Sequence, residues 1–346
     1  MDIQQEIFGQ TPEGRNIRKT TLSNDHGMAV VVISYGAILT AVKTPDRSGN
    51  VGDVALGLRT FEDYMSDTWF LGATIGRYAN RIARGRFNLD GRVYQLPQNS
   101  PPSHLHGGAK GFHKVVWQPE TEKSRDSASV ILSYLSPDGE EGYPGNLSVA
   151  VTYSLNERNE LALHYQARTD KPTPVNFTNH TYWNLKGFSL GHVLHHVLTL
   201  NADHYLPTDE DRIPTGEISS VEGTPMDFRE PTKIGLRIGR LQGGGYNHCY
   251  VLRRKNDPLS LAATVYEPWT GRVMEVYTTE PGMQLYSGHF LDGYRSASGL
   301  CFEKYHGVCL EAQHFPNSVN QPNFPATLLR PGEVYTQTTA YRFSVQ

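Results

Sequence analysis

Four short stretches of the chain hold residues whose types and spacing could do chemistry. In GVCLEAQHF (307–315), Val308, Leu310 and Ala312 alternate as a core face, and Cys309, Glu311 and Gln313 share the opposite one. A carboxylate between a cysteine and a glutamine is odd on a strand face open to water. It makes sense on a face that lines a polar cleft. NFTNHTYWNL (176–185) is rich enough in Thr, Tyr, Phe and Trp to read as a β-strand, and His180 stands there among asparagines with no fixed charge. HLHGG (104–108) sets His104 and His106 two apart, so that a strand points both the same way and could offer them to a metal. Lys110 sits where a local third ligand would serve, and no metal is expected. GRYANRIARGRF (76–87) holds Arg77, Asn80, Arg81, Arg84 and Arg86, most of which read as a solvated loop or strand edge.

Together these parts are a carboxylate, two histidines, and an arginine beside an asparagine. They suit general acid–base chemistry on a hydroxylated ligand. Glutamate is a fair base when partly desolvated, and histidine is a fair acid near neutral pH. Other chemistries have no motif behind them: there is no GxSxG elbow, no P-loop and no GxGxxG opening a helix. With 32 Lys+Arg against 35 Asp+Glu, the net charge of −3 exerts no pull on nucleic acid or anionic lipid. The 14 His and 19 Tyr suit a polar, uncharged ligand. Three cysteines, Cys249, Cys301 and Cys309, without CxxC spacing argue against a disulfide framework or structural zinc and for a reducing compartment. MDIQQEIFGQ is no signal peptide, and no run of about 18 apolar residues occurs, so a cytoplasmic place and no membrane span are expected.

The elements that must position these residues are strands almost throughout. SVAVTYSL (148–155) and ELALHYQA (160–167) alternate cleanly, as antiparallel strands with one buried face do. FNLDGRVYQL (87–96) carries Asp90-Gly91 between two strand-like runs, a type I′ hairpin signal. Residues 28–44 and 334–345 also read as strands. The one clear helical signal is TFEDYM (60–65), with Thr60 placed to cap a turn or two. With 33 Gly and 21 Pro as turn punctuation, the chain reads as all-β, a many-stranded antiparallel sandwich or barrel with long loops. Residues 1–346 read as one domain, without linker or internal repeat.

GRYANRIARGRF, LHGGAKGFHKVVW, DGEEGYPGNL, PVNFTNHTYWNL and LRPGEVY occur in the order in which the aldose 1-epimerases, or galactose mutarotases, carry such stretches. GGGYNHCY, MQLYSGHF and LEAQHFPNSVNQPNFP extend the resemblance from about residue 5 to the C-terminus. It implies a large antiparallel β-sandwich (the galactose mutarotase-like supersandwich) that interconverts the anomers of free aldoses in an open cleft, without cofactor. It implies Glu311 as base, His180 as acid and His106 as the second histidine. Asn80, Arg81 and Gln284 would contact sugar; Trp183 and Phe290 could face its ring or shape the cleft, and a core role suits each of them at least as well. The asparagines around His180 would fix its imidazole. The only partner implied is the small-molecule sugar, with the chain acting as a monomer or homodimer. A same-fold epimerase for another sugar, a hexose 6-phosphate or maltose, is an alternative. The phosphate would need a basic rim, for which Arg77, Arg84 and Arg86 are the candidates. A non-catalytic sugar-binding protein is the other alternative.

One position departs from the family pattern. Asn247 in GGGYNHCY stands where an aspartate usually precedes the histidine. An aspartate accepts from two sugar hydroxyls, whereas an asparagine accepts through one atom and donates through the other. Loss of a charge-assisted pair costs roughly 1–2 kcal/mol of sugar affinity. Asn247→Asp is therefore expected to change the ranking of sugars or KM more than kcat. A tenfold drop in kcat alone, measured by polarimetry, would contradict this.

Overall fold

Period-two alternation decides how the sheets lie. In the computed structural model, which describes residues 1–188, 190–254 and 257–346, Leu147–Asn156 and Glu160–Thr169 pair antiparallel, with Val151 opposite Tyr165 and Tyr153 opposite Leu163. All four are buried. These strands lie within a nine-stranded sheet that continues through Tyr335–Val345, Arg272–Thr278 and Ser260–Tyr266. A five-stranded sheet is formed by the N-terminal strands, Asp2–Gln10 to Val51–Asp53. A six-stranded sheet runs in the order Tyr182–Trp183, Val308–Gln313, Gly282–Tyr286, Asn247–Leu252, Ala202–Tyr205 and Ser219–Ser220. Neighbouring strands are antiparallel throughout these sheets. This is the expected all-β sandwich.

One hydrophobic cluster draws on all three sheets. It takes Val30 and Leu39 from the first, Val151, Tyr165 and Val276 from the second, and Leu285 and Leu310 from the third. The six-stranded sheet thus buries one face on the core, which frees its other face to hold polar residues. The expected hairpin forms, with Asp90 at φ 49° and Gly91 at φ 79°, the two positive values a type I′ turn requires. Residues 28–44 fold as two paired strands, Ala29–Ile33 and Ile38–Pro45. The single α-helix among the described residues is Phe61–Ser66, where Thr60 accepts from the Asp63 amide at 3.2 Å.

Two expectations need correction. NFTNHTYWNL is not one strand. Thr178–Asn179 pairs with Thr74–Ile75, and Tyr182–Trp183 pairs with Val308–Gln313. His180 lies at the crossing between them, its amide donating to the Ala73 carbonyl at 2.9 Å and its own carbonyl accepting from Gly72 at 3.1 Å. The chain changes partner there, and that change turns the imidazole out of any ladder. Arg77, for its part, is no rim residue. It is 2% exposed and donates to the Ser136 hydroxyl and to the carbonyls of Ser136, Pro137 and Pro144. It ties the segment that leads into Asn80 and Arg81 to two distant loops.

Candidate active site

Strand register builds the floor of a cleft on the outer face of the six-stranded sheet. Tyr182, Cys309, Tyr286 and Asn247 are successive register partners across four strands. Two residues along, Glu311, Gln284 and Cys249 form the next row. Side chains two apart on a strand share a face, so both rows point the same way. Above them lies a cleft of about 180 Å³, lined by Asn80, Arg81, His106, His180, Asn247, Phe290 and Glu311, with Phe70, Tyr182, Arg212 and Tyr286.

Glu311 is 2% exposed, and its Oε2 has no hydrogen-bond partner. Burial pushes its carboxyl up to about 8, against a smaller downward pull from Arg81. His180 Nε2 lies 3.8 Å from Glu311 Oε2. The other ring nitrogen, Nδ1, is 3.6 Å from Cys309 Sγ. Burial holds the Cys309 thiol protonated, well above its ordinary range, and the Glu311 charge adds to this. Burial lowers the imidazole to about 4. The flanking asparagines make no hydrogen bond to the ring. Asn179 donates to Gly72 O and accepts from Thr181, while Asn176 ties down the His314 backbone. They fix the main chain, and Cys309 with the rings of Tyr182, Phe70 and Tyr286 surrounds the imidazole.

His106 stands beyond the short strand His104–Leu105, at φ 50°. Its Nδ1 accepts from the Asn80 amide at 3.2 Å, which leaves Nε2 as a donor. Burial first, then the His180 and Arg81 charges, keep it neutral, well below the usual histidine range. The bend depends on Gly107, where a β-carbon would meet the Gly76 carbonyl oxygen at 1.8 Å. Phe70, Asn80, His106 and Arg212 all line the cleft at φ between 50° and 61°. Such left-handed backbone is rare away from glycine and collects at functional sites.

His104 and His106 are not a pair. His104 is fully buried, with Nδ1 2.7 Å from Pro97 O and Nε2 2.8 Å from the Tyr143 hydroxyl, so neither nitrogen is free for a ligand. Among the described residues, those that could hold a metal are His106, His180 and Glu311, whose ligand atoms lie within 4.8 Å of one another. Ligands around a zinc at about 2.1 Å lie roughly 3.4 Å apart, closer than the 3.8 Å between His180 and Glu311. The wider set suits a pair of sugar oxygens as well as an ion.

Gln284 does not line the cleft. It is 3% exposed, and its Nε2 donates to Asn247 Oδ1 at 2.7 Å. It supports Asn247, so that Asn247 presents its amide donors to the cleft. Trp183 is core, 0% exposed, with its ring tilted against those of Tyr341 and Phe343. Phe290 does line the cleft. Arg84 and Arg86 are exposed elsewhere, and the rim cation is Arg212, 4.5 Å over the Phe290 ring. Sequence reasoning missed Arg212, Phe70 and Tyr286; all three reach the cleft from loops or from register that local patterns do not encode.

The aldose 1-epimerase family model matches residues 18–342. The galactose mutarotase of Sus scrofa is 44% identical over 100% of this chain and 99% of its own. The aldose 1-epimerase of Escherichia coli (strain K12) is 39% identical over 96% of each. Among solved structures, galactose 1-epimerase from Lactobacillus acidophilus NCFM superposes with a TM-score of 0.87 at 31% identity, covering 100% of this chain and 99% of that one.

A buried, unpartnered carboxylate has a cost that depends on pH. Glu311 titrates at about 8 when folded against an ordinary 4.5. A raised folded value means its stabilising contribution is fully present below the unfolded value and is lost as pH rises through the folded one. Wild-type stability minus that of Glu311→Gln is therefore expected to fall between pH 4.5 and about 8 and then level off. Urea denaturation at several pH values measures it; a difference independent of pH would contradict the assignment.

Proposed function

The chain belongs to the aldose 1-epimerase family, and from that premise we propose that Glu311, His180 and His106 carry its reaction. The activity is mutarotation, the interconversion of the α and β anomers of free aldohexoses such as glucose and galactose. O1 and O5 of a pyranose are bonded to the same carbon. A base and an acid 3.8 Å apart in one cleft can each reach one of them, and that separation is the observation on which the reading rests.

Glu311 takes the proton of the anomeric hydroxyl while His180 gives one to the ring oxygen. The C1–O5 bond breaks, and the open-chain aldehyde forms. Rotation about C1–C2 turns its other face to the ring-closing hydroxyl, and closure returns both protons with the roles reversed. Each group contributes on the order of 10²–10⁴ in rate. His106 donates through Nε2 to oxygen near C1, where charge develops. Asn80, Arg81 and Asn247 hold the sugar through their donors, and Gln284 holds Asn247. At rest the shared proton belongs to Glu311, the group of higher pKa. The O1 hydroxyl donating to Glu311 favours the carboxylate, and the proton moves to His180.

The alternatives are not favoured. A mere binder has no use for an unpartnered carboxylate beside two neutral imidazoles, and the full-length relatives bear enzyme names. The rim expected of Arg77, Arg84 and Arg86 is not there. We further propose that residues 1–346 act as one domain, which the shared core supports. A cytoplasmic setting suits the free Cys249, Cys301 and Cys309. No helix among the described residues is long and apolar enough to cross a membrane.

The pair can act only while it holds one proton. Below about 4 it holds two and has no base; above about 8 it holds none and has no acid. The expected profile of kcat/KM, followed by polarimetry on galactose and glucose, is a plateau that falls on both sides, with Glu311→Gln slower by 10²-fold or more. A rate that climbs through pH 8, or a Glu311→Gln variant as fast as wild type, would overturn the assignment.

A further inference from the structure

Apart from the hydroxyls of Thr68, Ser100, Tyr182 and Tyr286 and the catalytic Glu311 and His180, the polar side chains that face this cleft present donors. Asn247 Oδ1 is occupied by Gln284, so Asn247 offers N–H groups. Asn80 Oδ1 accepts from the Arg81 amide at 2.9 Å, so Asn80 also offers N–H groups. His106 offers Nε2–H. Arg81 is 8% exposed, lines the cleft, and its guanidinium has no hydrogen-bond or ion-pair partner among the described residues. Arg212 also lines the cleft and has no ion pair there, although Asp209, Glu210 and Asp211 precede it. The face of Phe290, 4.5 Å away, holds it in place at the rim. The one carboxylate lining the cleft is Glu311.

A neutral hexose brings hydroxyls that must donate as well as accept. At 247 this cleft presents an amide whose Oδ1 is already taken by Gln284, and it holds two guanidiniums with no hydrogen-bond or ion-pair partner among the described residues, the one opposite charge acting on Arg81 being that of Glu311. We infer that it takes aldohexoses bearing a carboxylate at carbon 6, the hexuronates, with Arg81 and Arg212 as the anion-binding pair. The inference rests on the mutarotase reading and names its substrate class. Carbon 6 is where charge can be added without touching C1, O1, O5 or the C1–C2 bond about which the aldehyde turns. A planar carboxylate matches the guanidinium fork, which a single ammonium does not. Burial, with the nearby Arg212 charge, lowers Arg81 to about 10, still ionised at neutral pH.

The test is polarimetry with the full chain on galacturonate, glucuronate, galactose, glucose and galactose 6-phosphate, for wild type, Arg212→Leu and Arg212→Lys. The expected wild-type kcat/KM for a hexuronate is within tenfold of that for the matching neutral sugar, or above it. The hexuronate KM is expected to rise severalfold with added salt while the neutral KM does not. Arg212→Leu is expected to cut the hexuronate-to-neutral ratio of kcat/KM tenfold or more, and Arg212→Lys to restore part of it. A wild-type ratio below one tenth, or a ratio that Arg212→Leu leaves unchanged, overturns the inference. If neutral sugars still turn over, the mutarotase reading survives. Turnover of no sugar at all sinks both. A 6-phosphate preferred to both hexuronates overturns the carboxylate assignment.

Discussion

A carboxylate buried without a partner is the constraint around which this molecule is arranged. Glu311 sits on the second strand of the six-stranded sheet, opposite Gln284 of the third, 2% exposed, with Oε2 unsatisfied. Holding an acid there costs on the order of a few kcal/mol of stability near neutral pH. The sheet can bear it because its other face is anchored in the shared core through Leu310 and Leu285. The same burial makes the group useful. Desolvation raises its affinity for a proton toward working pH, and it lowers that of His180, so one proton is shared across 3.8 Å.

Around that pair the protein relies on main-chain strain and on sulfur more than on further charge. His106 and Asn80 are bent into left-handed backbone and bonded to each other. Cys309, two residues from the base, lies against the far nitrogen of the acid. The neighbouring amides of Asn176 and Asn179 are spent on carbonyls and amides of adjoining segments. Fixed charge enters through Arg81, buried close enough to act on Glu311 and His106, and through Arg212 at the rim.

Much of this was legible in the residues. Alternation in 148–155 and 160–167 gave paired strands, and the alternation of 308–313 placed Cys309, Glu311 and Gln313 opposite a core face, as found. Asp90-Gly91 and Thr60 encode local geometry that needs no distant partner. What stayed hidden depends on contacts far apart in sequence. His180 lies in a break between strands because two different segments claim its neighbours. Arg77 looks like its neighbours in sequence but finds carbonyls some 60 and 67 residues away. Gln284 and Asn247 both sit on the cleft side of their strands, and only their mutual hydrogen bond shows which one meets the sugar. Arg212 comes from a loop with no signature.

The measurement that bears most directly on the central claim is the titration of Glu311 itself, followed by the ¹³C resonance of its side-chain carboxyl and assigned by loss of the signal in Glu311→Gln. The carboxyl is expected to titrate near 8. A transition in the ordinary glutamate range, near 4.5, would mean that water or an unseen partner reaches Oε2 and that the pair does not share a proton at neutral pH.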